Sequence, residues 1–212
     1  MKRTRLARDA GLISAGGVAQ SFLVRFPSLI ARIGFVKAVS LRVSRRIVRT
    51  LRAGVAVERY GDLDACRTIF VAVPDGALEA VMRELAAEVS LERKMVVICE
   101  SRLETAPWAS LNILDFATRT LVVAGSKAAV RELAGIAKAD GWRTIEIQSK
   151  AGYFAGVSSA SDGLMAPLAA ALEDFREAGF SRAEAARAVE SLGWRTLRAG
   201  VRTGKWKVSR AV

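Results

Sequence analysis

The chain of 212 residues contains no histidine. That removes the side chain whose ordinary pKa lies nearest neutrality, and with it the usual general acid–base and the commonest metal ligand. Cysteine is almost as scarce: Cys66 and Cys99 stand far apart, each in an apolar run. With so few nitrogen and sulfur ligands a zinc site is not expected. Two lone thiols in apolar surroundings read as buried, reduced cysteines, which points to a cytoplasmic protein and not to a disulfide framework. Long hydrophobic runs are missing too, and no stretch reaches the roughly eighteen apolar residues of a membrane span. Lys2, Arg3, Arg5 and Arg8 precede a mildly apolar run in the manner of a signal peptide. Asp9 breaks that transition and the run is rich in glycine, not leucine, so secretion is not expected.

What is present is ample apolar material, 51% of residues, enough for the core of one large domain or two modest ones. The net charge of +12 is unevenly placed. Residues 1–59 carry thirteen Lys/Arg against Asp9 and Glu58, while the remainder is nearly balanced. A uniformly basic chain would suggest general adhesion to nucleic acid or membrane; a basic first third suggests a local anionic ligand as well.

Strand-like and helix-like segments alternate. Leu12-Ile13 leads into a small-residue cluster, and Val18 to Val24 then reads as a helix interrupted by Pro27. Phe35–Leu41 reads as a second strand. A helix capped by Ser44 and running to about Ala53 would bury Val43, Ile47 and Leu51, and Gly54 ends it. Val55–Val57, Thr68–Val73, Met95–Cys99, Thr120–Ala124 and Trp142–Ile147 read as further strands. Helices over Ala77–Glu88 and Ser126–Ala139 separate them. Strands alternating with helices predict a Rossmann-type doubly wound, mostly parallel α/β sheet over residues 1–148. From Ser149 the pattern is helical: Lys150–Ala178, then Arg182 to about Ala199 with Ser181 and Glu184 as a capping box. Residues 149–212 are therefore expected to form a small all-α domain.

The turn at Ser14, Ala15, Gly16, Gly17, Val18 and Ala19 is the first candidate site. Against the glycine fingerprint of dinucleotide-binding turns, Gly16 and Ala19 match the second and third positions, and Ser14 replaces the first glycine. Small residues are needed there so that phosphate oxygens can approach backbone N–H groups at a helix N-terminus. After the second strand come Arg42, Ser44 and Arg45, where an NAD-binding chain carries an acidic residue for the ribose. Guanidinium groups suit the 2′-phosphate of NADP instead. Val73, Pro74 and Asp75 end a strand at the edge where open α/β sheets bind ligands, and Asp75 is also expected to cap the next helix.

These features, with Val71-Ala72-Val73-Pro74-Asp75-Gly76-Ala77-Leu78 and a helical domain headed by Lys150, resemble the superfamily of pyrroline-5-carboxylate reductase, 3-hydroxyisobutyrate dehydrogenase and 6-phosphogluconate dehydrogenase. Closer still is the resemblance to a bacterial family that joins a Rossmann-like NADP-binding domain to a helical domain of unknown function. Its helical pattern, K-x-x-Y-H-A-A-x-x-x-A-S-N, is matched by Lys150, Tyr153, Ala155, Ala160 and Ser161, with Phe154 in place of the histidine and Asp162 in place of the asparagine. A family segment S-L-H-P corresponds to Ser110-Leu111-Asn112-Ile113, again without the histidine.

The resemblance implies NADP as cofactor and a small carbonyl, imine or hydroxy acid as substrate in an interdomain cleft. It further implies Lys150 as proton donor or substrate polariser, assisted by Asp162 and Tyr153, and a homodimer formed through the C-terminal helices. On one continuous helix Lys150 and Asp162 would fall on similar faces. The missing histidines and Ser14 favour a second reading: a non-catalytic dinucleotide- or anion-binding or assembly protein on the same scaffold. The basic residues of the tail alternate with aromatics (Trp194, Arg195, Arg198, Arg202, Lys205, Trp206, Lys207 and Arg210), which supports a third reading as a nucleic-acid-binding accessory protein, although no recognised binding module is present.

Overall fold

A computed structural model describes residues 8–16 and 25–203. The expected helix from Val18, the turn residues Gly17, Val18 and Ala19, and the tail from Lys205 onward lie outside the described residues. The chain divides into two compact units, residues 1–151 and 152–212.

The first unit is built on one eight-stranded sheet in the order β3-β2-β1-β4-β5-β6-β7-β8. Its strands are β1 (Ala10–Ser14), β2 (Ile33–Ala38), β3 (Val55–Val57), β4 (Thr68–Ala72), β5 (Met95–Cys99), β6 (Ala109–Asp115), β7 (Thr120–Ala124) and β8 (Arg143–Glu146). Every pairing is parallel except β6 with β7. The fold is therefore the expected Rossmann-type arrangement, followed by a helical C-terminal region.

The central strands are apolar at successive positions because both faces of the sheet are covered. Leu12, Phe70, Val97, Leu111 and Val123 point into one core. Their neighbours Ile13, Ile69, Val71, Val96 and Ile98 point into the other. Burying each such side chain contributes on the order of 1.5–3 kcal/mol. The helices of this unit are α1 (Pro27–Arg32), α2 (Leu41–Leu51), α3 (Asp75–Glu88) and α4 (Lys127–Ala139). Pro27 opens α1, at a position where its missing N–H costs nothing. Ser126 caps α4, its Oγ accepting from the Ala129 N–H, and the helix buries Ala129, Leu133 and Ala137 one turn apart.

One strand, β6, was not expected. Its core-facing positions include Ser110 and Asn112, both buried, so it lacks the continuous apolar run of its neighbours. The cap of α2 also lies one turn earlier than expected. Ser40, and not Ser44, is the N-cap, and its hydroxyl accepts from the Val43 N–H at 3.4 Å.

At the far end of the first unit Asp9, Arg32 and Glu132 join the first strand, α1 and α4. Arg32 donates two bonds of 3.0 Å to the Asp9 carboxylate and one of 2.9 Å to Glu132.

The second unit carries the body of α5 (Lys150–Ala160), then α6 (Asp162–Glu177) and α7 (Arg182–Thr203). The expected helix from Lys150 to Ala178 is two helices, with Ser161 (φ −107°, ψ −76°) between them. The connection from α6 to α7 is set by its residues. Gly179 takes φ +94°, Phe180 N–H donates to the Phe175 carbonyl, Gly179 N–H donates to the Arg176 carbonyl, and the two phenylalanine rings meet at 5.1 Å. This is the glycine-terminated helix end that a left-handed residue allows. Two residues later Ser181 and Glu184 exchange the expected capping-box bonds: Ser181 N–H donates to Glu184 Oε2 at 2.9 Å and Glu184 N–H donates to Ser181 Oγ at 3.3 Å. No residue of α6 is buried, and α7 buries only Ala185 and Gly200. Among the described residues no helix is long and apolar enough to cross a membrane.

Candidate cofactor and active site

The carboxyl ends of β1, β4 and β5 bring together most of the expected site residues of the first unit. At the end of β1, Ser14 is fully buried and its Oγ accepts a hydrogen bond from the Gly16 N–H at 3.1 Å. Ala15 N–H donates to the Ala72 carbonyl at the end of β4. Gly16 has φ +116°, a conformation that side-chain-bearing residues rarely adopt, so the turn itself requires glycine there. The side of Gly16 that a Cβ would occupy faces α2, with an Arg46 guanidinium nitrogen 3.6 Å and Val43 Cγ1 3.9 Å from that position.

Arg42 and Arg45 lie exposed on α2, with no hydrogen-bond or ion-pair partner for either guanidinium among the described residues. Ser44 does not share that surface. It is fully buried, and its hydroxyl donates to the Ser40 carbonyl at 3.2 Å with the Val57 carbonyl at 3.5 Å. Its place on the helix face that also buries Ile47 and Leu51 makes it a packing residue, which corrects its assignment as a phosphate ligand.

At the end of β4, Val73 is buried, Pro74 is the residue before α3, and Asp75 opens the helix. Asp75 caps nothing: the N-terminus of α3 has no side-chain cap. Its carboxylate accepts from Ser101 Oγ at 2.6 Å and from the Arg102 N–H at 3.2 Å, and so holds the segment that leaves β5. Ser101 Oγ in turn accepts from the Leu103 N–H at 3.2 Å.

Lys150, the first residue of α5, is 4% exposed, and its Nζ has no hydrogen-bond partner among the described residues. Burial pushes the pKa of its ammonium down from the ordinary lysine value, against the opposing pull of the Glu104 and Asp75 carboxylates. Cys99 itself is fully buried, and burial pushes its pKa far up, so it is a neutral, unreactive thiol. Cys66 is likewise free and buried, with its pKa pushed up to about 11.

Tyr153 and Asp162 belong to the second unit. The Tyr153 ring packs at 4.7 Å against that of Phe154. Asp162 opens α6, and Ser158 Oγ donates to its carboxylate at 3.3 Å. Ser161 lies between the helices that carry Lys150 and Asp162, so the two residues do not belong to one continuous helix.

Arg46, Ser101 and Glu104 escaped sequence reasoning. Arg46 follows Arg45 directly, and only the rotational setting of α2 against the sheet tells which guanidinium meets the turn. Ser110 Oγ and Asn112 Nδ2, on one face of β6, are buried without hydrogen-bond partners among the described residues. Their alternation was the available signal for that strand.

No protein-family model matches the sequence, and no curated protein matches it in sequence. Solved structures do share its fold. A Bacteroides fragilis protein described as an NADP oxidoreductase superposes with a TM-score of 0.70 at 13% identity, over 92% of this chain and 80% of that one. An imine reductase variant from Myxococcus stipitatus, in complex with NAD+, gives 0.68 at 14% identity over 96% and 80%. A pyrroline-5-carboxylate reductase from Coxiella burnetii gives 0.60 at 14% identity over 93% and 81%. The fold is thus a Rossmann-type α/β fold followed by a helical C-terminal region, as expected from the sequence.

Proposed function

We propose that this chain is an NADP-dependent oxidoreductase acting on a small carbonyl, imine or hydroxy acid, with Lys150 as its proton-handling residue. The observation that carries the reading is the buried ammonium of Lys150, without a hydrogen-bond partner among the described residues, in the electrostatic reach of Glu104 and Asp75. A cation kept out of water without a partner is costly, and such groups concentrate where they act on a bound molecule.

The described residues fit a dinucleotide. Gly16 gives the positive-φ turn, Ser14 shapes it, Arg42 and Arg45 offer free guanidinium groups for a 2′-phosphate, and Val73, Pro74 and Asp75 form the adjoining strand end. The nicotinamide, when bound, supplies hydride chemistry. Lys150 Nζ polarises the substrate oxygen or nitrogen and gives it a proton, or takes one in the opposite direction. Asp75 positions the segment carrying Glu104, and that carboxylate favours the charged form of the lysine.

The test is a titration with NADPH and NADH, read by tryptophan fluorescence, followed by turnover assays on cyclic imines, aldehydes and 2-hydroxy acids. Lys150→Met is expected to abolish turnover and leave NADPH binding intact. Binding of neither nucleotide, or turnover that survives Lys150→Met, would overturn the reading. A non-catalytic dinucleotide-binding protein is the second reading, favoured by the Ser14 hydroxyl that holds the Gly16 amide. NADPH binding without any turnover would select it. In either case the exposed apolar residues of α6 and α7, among them Leu192 and Trp194, support pairing of two copies through these helices.

A further inference from the structure

Ser14 and Arg46 together change what the turn offers to an anion. In a dinucleotide turn the second glycine lets pyrophosphate approach the backbone, and free N–H groups meet it. Here the Gly16 N–H already donates to Ser14 Oγ, so that donor is spent inside the protein. On the open side of the same glycine stands the Arg46 guanidinium, 3.6 Å from the position of the absent Cβ. It makes no hydrogen bond or ion pair among the described residues. Val43 and Arg46, three residues apart on α2, share the face turned to Gly16.

We infer that Arg46 binds the pyrophosphate of the dinucleotide, and that its side chain replaces the contact which the Gly16 amide withholds. The inference rests on the nucleotide-binding reading above. A guanidinium is suited to the task because its planar fork pairs with two phosphate oxygens at once and stays charged at any working pH. The arginines of α2 then divide their labour: Arg46 meets the part common to NADPH and NADH, whereas Arg42 and Arg45 meet the 2′-phosphate that only NADPH carries.

Binding of NADPH and of NADH to Arg46→Gln, followed by tryptophan fluorescence, tests this. Both affinities are expected to fall by the same factor, roughly ten- to a hundredfold for one charge-assisted contact. Arg42→Ala with Arg45→Ala is expected to weaken NADPH alone. In the Arg46→Gln chain, Ser14→Gly frees the amide and is expected to restore part of both affinities. Arg46 is exposed, so its variant should melt at the temperature of the unaltered chain, which separates lost contacts from lost folding. Unchanged binding in Arg46→Gln, a loss confined to NADPH, or no recovery on adding Ser14→Gly would overturn the inference and leave the nucleotide reading standing. If the unaltered chain binds neither nucleotide, the nucleotide reading fails and this inference falls with it.

Discussion

The Ser101 hydroxyl donates to the Asp75 carboxylate at 2.6 Å and thereby joins the end of β5 to the first turn of α3. The same carboxylate receives the Arg102 N–H, so one side chain holds two donors of the segment that leads to Glu104. Asp75→Ala is expected to cost about 1–2 kcal/mol, the loss of a charged acceptor for a buried hydroxyl and a backbone N–H. Urea denaturation would measure it. Turnover should fall as well, because the Glu104 segment is no longer anchored near Lys150. Unaltered stability would show that these bonds are replaced by water at no cost.

Lys150 sets activity against stability. Its pKa is lowered in the folded chain, so folding favours the neutral amine. The contribution of this group to stability is greatest above the unfolded lysine pKa and is lost as pH falls through the lowered folded value. Lys150→Met removes that penalty and is expected to stabilise the protein at neutral pH by about 1–2 kcal/mol while abolishing turnover. Thermal melting at neutral and strongly alkaline pH would check this, with the gain over the unaltered chain shrinking at the alkaline end.

Acid stability should depend on Asp9. The Arg32 hydrogen bonds hold its pKa below the usual carboxylate range. A depressed acid stabilises the fold above its unfolded pKa and loses that contribution as pH falls through the folded value. Asp9→Asn is expected to lose about 1–2 kcal/mol at neutral pH and to match the unaltered chain in strong acid. Arg32→Ala should cost more, since it removes the ion-pair partner of Asp9 and one of the two partners of Glu132, which keeps Arg67. Denaturant midpoints over an acid pH series would decide.

The second unit should pair. Leu192 and Trp194 on α7 are 41% and 59% exposed, large apolar surface for a helical hairpin to leave in water. Light scattering of the full chain is expected to give twice the monomer mass, and Leu192→Glu with Trp194→Glu to give the monomer. A monomeric unaltered chain would dismiss pairing through these helices.

Much of the fold was legible because buried parallel strands write themselves as unbroken apolar runs: Met95–Cys99 and Thr120–Ala124 were read with the bounds they have. β6 was illegible for the opposite reason, since Ser110 and Asn112 occupy interior positions that pattern reading assigns to apolar residues. The cap of α2 shifted by one turn because two serines four residues apart offer the same chemistry, and only burial distinguishes Ser44 from Ser40. The site was legible as a set of residue types and less so as a set of contacts. Ser14 could be read as a substituted glycine, yet that its hydroxyl consumes the Gly16 amide depends on one rotamer. The break between α5 and α6 had a signal in Ser161-Asp162-Gly163, a run of turn-forming residues.

The reversal between β6 and β7 has a consequence for how the chain folds. β1 and β2, β2 and β3, and β7 and β8 are joined by crossovers that contain helices, but β6 and β7 are joined by a short turn. There Asp115 accepts from the Ala117 and Thr118 N–H groups and from the Thr118 hydroxyl. Closing so small a loop costs little chain entropy, so this hairpin can assemble before the distant strands meet. Its amides, Leu111 and Val123 among them, are then expected to gain protection first in pulsed hydrogen exchange, with β1 and β2 following. Simultaneous protection of all the strands would mean that the sheet condenses as a whole.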